Sequence, residues 1–399
     1  MINILGINIS TLSKIDLKNK LTEFINSGQH YVATVNPEII LTAHRDEEYF
    51  YILNQASLAP ADGFGLVLAG QLAGEKIPRI TGADLVPELL SQAETSNFSV
   101  SILNWHQGLS SASDIREILS ERWPNLKFQI IDLEKEIYLP EEILSSLNRF
   151  APKLLFCTFG APFQEKVIYH NLKKIPGIGL AIGVGGAFDF LTKKITRAPR
   201  IFQRLGLEWL WRLIKQPRRL KRIWRATAVF FWKVILWRFI NPHRYRKNVS
   251  CMLLRKNLGA WEVLIVERQE SLGHWQLPQG GTDGEPVEIA GAREIREETN
   301  IHQIKILGVL KNAYRYQFPK GASRGRGIST GSPKHYDYCG QSQSFLIAEM
   351  KDLNEEIKID FWDHRAYRFI PLADLVKEIH PVRREMAEKF LAFAQKTLN

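Results

Sequence analysis

Near the carboxyl end of this 399-residue chain, three carboxylates fall on one side of a single predicted helix. Glu294, Glu297 and Glu298 stand at i, i+3 and i+4 within Arg293-Glu294-Ile295-Arg296-Glu297-Glu298, so a helical backbone projects them together. Like charges at that spacing destabilise a helix by a few tenths of a kcal/mol per pair. A hard divalent cation removes the repulsion, and Mg²⁺ takes such oxygen ligands while keeping waters and accepting substrate phosphates. The plain alternative is a solvated Glu/Arg face. Two neighbours favour the metal. Trp275-Gln276-Leu277-Pro278-Gln279-Gly280-Gly281 is a turn whose glycines Gly280 and Gly281 let backbone approach a phosphate, and Glu285 lies between turn and helix.

The first half of the chain must position a different chemistry. Tyr31 to Val35, Ser99 to Leu103, Phe128 to Ile131, Leu154 to Thr158 and Gly179 to Val184 are short runs rich in β-branched and aromatic residues, with helical segments between them. That alternation predicts a parallel sheet covered on both faces, with ligands at the carboxyl ends of its strands. The polar motifs that fall there are Thr34-Val35-Asn36-Pro37-Glu38, Ala61-Asp62-Gly63, Arg79-Ile80-Thr81-Gly82-Ala83-Asp84, Gly160-Ala161-Pro162-Phe163-Gln164-Glu165 and Gly183-Val184-Gly185-Gly186. Asp62 is the carboxylate best placed to take a proton, although Asp-Gly is commonly just a turn. Asp84 and Asp189 are expected to order loops.

Between the halves the charge is lopsided. The chain carries a net +11, and residues 193–247 hold seventeen Lys or Arg against one acid, Glu208, together with five of the ten Trp. Trp209, Trp211, Trp224, Trp232 and Trp237 interleave with Arg212, Arg218, Arg219, Arg222, Arg225, Lys233 and Arg238, a composition suited to an anionic lipid headgroup layer. Docking on the chain's own core or on a second copy, and nucleic-acid binding, stay open beside it. The apolar stretch 226–240 is interrupted by Lys233 and Arg238 and is too short to span a bilayer.

The ordered set of strand-end motifs, with Arg197-Ala198-Pro199, Gly206-Leu207-Glu208-Trp209 and Pro217-Arg218-Arg219, resembles the WecG/TagA/CpsF glycosyltransferases over about residues 2–237. One departure is the turn Asn104-Trp105-His106-Gln107-Gly108, where the family is more Gly-rich. The resemblance implies transfer of an N-acetylhexosamine-type sugar from a UDP donor to a polyprenyl-diphosphate-linked acceptor at the inner face of the cytoplasmic membrane. It makes Asp62 the base, with Thr34, Asn36 and Gln164 holding sugar and Arg197 offsetting the leaving diphosphate. No cofactor is evident for this half. The acidic helix and its flanks resemble the Nudix box over residues 245–399, with two departures: four residues instead of five separate Gly280 from Glu285, and Asn300 replaces the closing glycine. That likeness implies Mg²⁺ (or Mn²⁺) held by Glu294, Glu297 and Glu298, with Arg293 bracing Glu285. The substrate would be a nucleoside polyphosphate, a dinucleoside polyphosphate or an RNA 5′ end. Gln276 to Gly281, Tyr314-Arg315-Tyr316 and Gly340 to Phe345 look like that branch; Arg315, Lys320, Arg324 and Arg326 would meet its phosphates, and Glu356, before a strand-like Ile357-Lys358-Ile359, would act as a base.

The whole reads as an α/β chain in three parts: a Rossmann-like transferase domain at 1–192, a basic Trp-rich appendage at 193–244, and a Nudix α/β/α sandwich at 245–399. Cys157, Cys251 and Cys339, odd in number and widely spaced, argue against a disulfide framework and for a reducing cytoplasm. The start, Met1 to Ile7, reads as a first strand and not a signal peptide. Two functional classes follow. Either both halves are enzymes, or one is silent and acts as a nucleotide-sensing module for the other; a homo-oligomer is compatible with both.

Overall fold

The computed structural model describes residues 1–199, 201–202, 210–211, 220, 224–269, 271–317 and 338–398. It divides into two compact units, Met1–Ile235 and Leu236–Asn399.

The first unit is built on five parallel strands. After a hairpin of β1 (Ile2–Ile4) and β2 (Ile7–Ile9), which pairs only with itself, come β3 (His30–Ala33), β4 (Ser99–Trp105), β5 (Lys127–Leu133), β6 (Leu154–Cys157) and β7 (Leu180–Gly183), in the order β3-β7-β6-β4-β5. All pairings among these five are parallel, as the alternation required. Strands β6 and β7 are buried along their whole length, which is why they read as unbroken apolar runs. Two hydrophobic layers flank the sheet, one containing Ile102, Phe156 and Ile182 and the other Leu103, Leu155 and Ala181; alternate residues of each strand feed opposite faces. The first strand-like run is thus a separate hairpin, not part of the main sheet. Its turn, Leu5-Gly6, takes positive φ at both residues, the geometry a two-residue hairpin connection needs.

Helices begin where the sequence supplies caps. Asn36 Oδ1 accepts from the amide of Ile39 to open Pro37–Ala43, and Thr81 caps Gly82–Thr95 through the amide of Asp84. Both caps lie just beyond strand-end segments, so the same residues that start helices rim the cavity described below. Later in the unit, Phe230 and Val234 of the helix Phe230–Ile235 are buried, whereas Trp224 and Trp232 are 63% and 59% exposed, so this basic stretch has an inward and an outward face. Trp209, Arg212, Arg218, Arg219 and Arg222 lie outside the described residues. No helix among the described residues is long and apolar enough to cross a membrane.

The second unit is a seven-stranded mixed sheet. β8 (Tyr245–Asn257) and β13 (Gly340–Met350) run parallel at its centre; β9 (Ala260–Arg268), β10 (Trp275–Gln276), β11 (Gln279–Gly281), β12 (Ile304–Gln317) and β14 (His364–Pro371) join antiparallel. The helix Val287–Thr299 covers one face, with Ile295 packed among Val249, Cys251, Leu253 and Leu346. The helix Arg384–Leu398 covers the other, where Phe390 stacks on Phe345 at 4.2 Å between centroids. The expected three-layer sandwich is therefore present. The strand expected at Ile357–Ile359 is not: the segment is coil, tied to the helix end by the amide of Lys358 donating to the carbonyl of Thr299. Alternating apolar residues there follow a loop surface instead of a ladder.

Candidate active sites

In the first unit the carboxyl ends of the parallel strands open into a cavity of about 400 Å³. Thr34, Asn36, Asp62, Gln164 and Arg197, the residues singled out from sequence, all line it. Asp62 is part-buried; its own amide bonds the carbonyl of Val35, and its Oδ2 accepts from the amide of Gly82 at 3.5 Å. Thr34 Oγ1 donates to the carbonyl of Gly183. Gln164 is almost wholly buried and its amide is fixed at both ends: Oε1 accepts from the amide of Gly185 at 2.8 Å, and Nε2 donates to Glu165 at 2.6 Å. A Cβ at Gly183 would lie 2.6 Å from Gln164 Nε2, so the strand end must be glycine for this side chain to sit there. Behind it, Tyr49 Oη donates to the other oxygen of fully buried Glu165. Burial pushes the Glu165 carboxyl up to about 7, against those two hydrogen bonds, which favour its charged form.

The two aspartates expected to order loops do so. Asp84 accepts from Thr81 Oγ1 at 2.7 Å and pairs with Arg197 at 2.8 Å; Asp189 accepts from Ser110 Oγ at 2.7 Å. Arg197 therefore reaches the cavity already neutralised by a carboxylate. Cys157 is buried behind the site and desolvation raises its thiol pKa far from reactivity.

In the second unit Arg293 is the hub. Its guanidinium meets Glu285 at 3.0 Å, Glu294 at 2.7 Å, Glu297 at 2.9 Å and the carbonyl of Gly281 at 2.8 Å. Burial alone would lower its pKa, but the carboxylates, Glu294 foremost, outweigh that and hold it above the ordinary value. The Arg293–Glu285 brace thus forms despite the shortened loop. Asn300 ends the helix in the left-handed conformation at φ 62°, doing what the missing glycine would do. Gly280 lies against the buried Glu294 carboxylate so closely that an added Cβ would fall 1.8 Å from Oε2.

Glu298, on the same helix, meets a second group. Its Oε2 accepts from the amide of Gln279 at 3.2 Å, and ligand atoms of Glu298, Asp363 and His364 all lie within 4.8 Å of one another. His364 is fully buried at the start of β14, neither ring nitrogen has a hydrogen-bond partner, and Nε2 stands 3.8 Å from Glu298 Oε2. Burial, aided by Arg268, lowers its pKa to about 3, so the imidazole is neutral. A neutral imidazole facing two carboxylates across a gap too wide for a hydrogen bond fits a divalent cation in that position. Glu356 is not in this group: its side chain is 74% exposed and pairs with Lys358. Arg315 lies over the Tyr245 ring at 4.8 Å, while Tyr314 and Tyr316 stack on each other along β12. Lys320, Arg324 and Arg326 fall outside the described residues.

The model of the WecG/TagA/CpsF glycosyl transferase family matches residues 2–244. The chain belongs to that family. A NUDIX domain follows at residues 244–390. An N-acetylglucosaminyldiphosphoundecaprenol N-acetyl-beta-D-mannosaminyltransferase of Bacillus subtilis (strain 168) is 32% identical over 219 residues, spanning 52% of this chain and 83% of the relative. The protein of the same description from Staphylococcus aureus (strain MW2) is 29% identical over 241 residues, 58% of this chain and 91% of its own length. Among solved structures, a Caenorhabditis elegans Ap4A hydrolase binary complex aligns at 21% identity over 38% of this chain and 98% of that one, with a TM-score of 0.28.

Within the family half, sequence reasoning picked out the strand-end motifs, with Glu165 in one of them but given no role, and passed over Lys135. In the NUDIX half it missed Asp363 and His364. The available signal was an Asp-His pair directly after the aromatic Phe361-Trp362 and at the start of an apolar, aromatic run.

Proposed function

We propose that the chain is a bifunctional enzyme. Its first unit transfers an N-acetylhexosamine-type sugar from a UDP donor to a polyprenyl-diphosphate-linked N-acetylglucosamine acceptor, and its second hydrolyses a phosphoanhydride of a nucleoside polyphosphate, a dinucleoside polyphosphate or an RNA 5′ end. The observation that carries the first is Asp62 in the strand-end cavity of a family whose relatives above are named for such a transfer. An acceptor hydroxyl oxygen attacks the anomeric carbon, the carbon–oxygen bond to UDP breaks, and the hydroxyl proton passes to the Asp62 carboxylate. Thr34, Asn36 and Gln164 position the sugars. Gln164 is preorganised for this because both ends of its amide are already held.

For the second unit the carrying observation is the convergence of Glu298, Asp363 and His364 beside the Arg293 hub. Glu298, with Glu294 and Glu297 along the same helix, would hold Mg²⁺ or Mn²⁺. Bound there, the ion supplies Lewis acidity and charge neutralisation at phosphorus. Asp363 and His364 would complete the cation site at Glu298, and Glu356, exposed and paired with Lys358, lies outside it. Arg293 keeps Glu285 and Gly281 in register with the glutamates, a bracing role. Arg315 and the backbone at Gly280-Gly281, which lies in β11 and not in the turn expected from sequence, would meet phosphate. The domain limits we adopt are those expected from sequence, 1–192, 193–244 and 245–399. The exposed Trp224 and Trp232 and the surrounding Arg and Lys support peripheral contact with an anionic cytoplasmic membrane face, where the lipid-linked acceptor would reside.

The test uses the full chain. Transfer from UDP-N-acetylmannosamine to a prenyl-diphosphate-linked N-acetylglucosamine is measured beside Mg²⁺-dependent hydrolysis of a dinucleoside-tetraphosphate panel. Absence of transfer with every UDP-sugar tried would sink the first half, and absence of metal-dependent phosphate release across the panel would sink the second. A silent second unit that binds nucleotide without cleaving it would convert the reading to a sensor.

A further inference from the structure

The transferase cavity should meet two diphosphates, yet the arginine expected to offset one, Arg197, is already paired with Asp84. Among the described residues that line the cavity, the other basic side chain is Lys135, and it has no carboxylate partner. Its position is built. Parallel pairing of β4 with β5 sets Trp105 opposite Leu133 at the carboxyl end of the sheet, and Lys135 follows two residues beyond β5. The turn after Trp105 is fastened to the same loop: the amide of His106 donates to the carbonyl of Leu133, and the His106 ring meets Glu134 at 3.1 Å. The amide of Trp105 donates to Thr158 Oγ1 at 3.0 Å, and Thr158 in turn donates to Asn104 Oδ1. Asn104 also donates to Asp132 at 2.8 Å, so the polar network locks Trp105 from below.

On this platform Lys135 Nζ lies 3.5 Å from the centroid of the Trp105 ring, with the Phe163 ring 5.9 Å away. An aromatic face attracts an ammonium and fixes where it sits, but it does not neutralise the charge. Burial lowers the pKa of this lysine somewhat. A cation held at a cavity wall, partly desolvated and without a counter-ion, is one that an anionic ligand completes.

We propose that Lys135, held over Trp105, is the side chain that binds the diphosphate of a substrate in the transferase cavity. This rests on the transferase reading above. The same chemistry occurs on the nucleotide donor and on the lipid-linked acceptor, and binding measurements separate them. Full-length protein, wild type, Lys135→Met, Lys135→Arg and Trp105→Ala, is titrated calorimetrically with UDP and, separately, with a short-chain prenyl-diphosphate-linked N-acetylglucosamine. Lys135→Met keeps the packing on Trp105 and removes the charge, so it is expected to weaken one of the two ligands by about tenfold or more. Lys135→Arg should recover most of that loss, Trp105→Ala should show part of it, and the steady-state KM for the affected substrate should rise more than kcat falls. Unchanged nucleotide hydrolysis by the second unit and an unchanged circular dichroism spectrum verify folding. If wild type binds UDP or the acceptor and Lys135→Met binds both within twofold of it, the inference is overturned while the transferase reading stands. If wild type binds neither, both fall.

Discussion

The two candidate sites handle phosphate chemistry with opposite charge economies. In the first unit the carboxylates that line the cavity, Glu38, Asp62 and Asp189, come from three separate strand-end segments, and Thr34, Gln164 and Asp189 are fixed by hydrogen bonds. In the second, carboxylates crowd around one arginine, and a further group gathers at Glu298. A proton acceptor for a sugar hydroxyl works as a single carboxylate within reach of the reacting oxygen and ionised at the operating pH. A cation site needs the reverse: enough negative charge that only an ion relieves it. How closely the carboxylates gather, and whether one side-chain cation is shared among them, separates the two chemistries more sharply than the fold does.

Crossed loss of function tests that comparison most strongly. Asp62→Asn should reduce sugar transfer by about a thousandfold, roughly 4 kcal/mol of barrier, and leave nucleotide hydrolysis intact. Glu298→Gln should do the same to hydrolysis and leave transfer intact. Both rates are read on the same preparations, and a variant that lost both activities would show that the sites are not independent. Asp363→Asn belongs with Glu298→Gln and should lower hydrolysis by about a hundredfold.

A pH titration reaches the buried support of the first site. The Glu165 pKa stands near 7 in the folded protein, above its ordinary value of 4.5. The folded state therefore binds the proton more tightly than the unfolded state does, so ionisation costs nothing below the unfolded value. The cost grows as pH rises and is complete above about 7, at roughly 3 kcal/mol by linkage. Between pH 5 and 8 the unfolding midpoint of the first unit should thus fall further in wild type than in Glu165→Gln. Parallel curves would mean that the carboxyl titrates normally and that Gln164 is not held by a buried acid.

Smaller still is the effect of removing the hub. Arg293→Met leaves Glu285, Glu294 and Glu297 facing one another without their shared cation, a charge change that by itself favours a bound divalent ion. Loss of the brace on Gly281 and Glu285 decides the sign, and the net change should be a loss of about tenfold in apparent metal affinity, measured by Mn²⁺ competition.

Much of this was legible in the residues before any coordinates. The five parallel strands were readable because a strand buried on both faces has to be a continuous apolar run. Asp62 and Gln164 fell in motifs at strand ends, while the part given to Gln164 and the Arg293–Glu285 brace were implied by the two family resemblances. What could not be read depends on long-range placement. Lys135 looks like one loop lysine among many until β4–β5 register puts it over Trp105. Ile357-Lys358-Ile359 alternates like a strand, yet no neighbouring strand offers it a ladder. Asp363 and His364 sit amid aromatics with no acidic run to advertise them, and only the pairing of β14 with β9 carries them to Glu298.

Glu356 gives the finest discrimination between the spacing argument and the geometric one. By sequence it is an acid ahead of an apolar alternation; in the fold it is an exposed loop residue whose partner is Lys358 at 3.0 Å. Exposed pairs of this kind contribute little, on the order of 0–1 kcal/mol. Glu356→Gln should therefore leave hydrolysis within about twofold of wild type, in the same assay where Asp363→Asn loses most of it. Steady-state rates at several pH values distinguish the outcomes, since a true base removed from position 356 would also erase the acidic limb of the profile. A large drop at Glu356 with none at Asp363 would mean that the loop rearranges when nucleotide binds, and that the carboxylate is delivered by motion instead of by the register of β14.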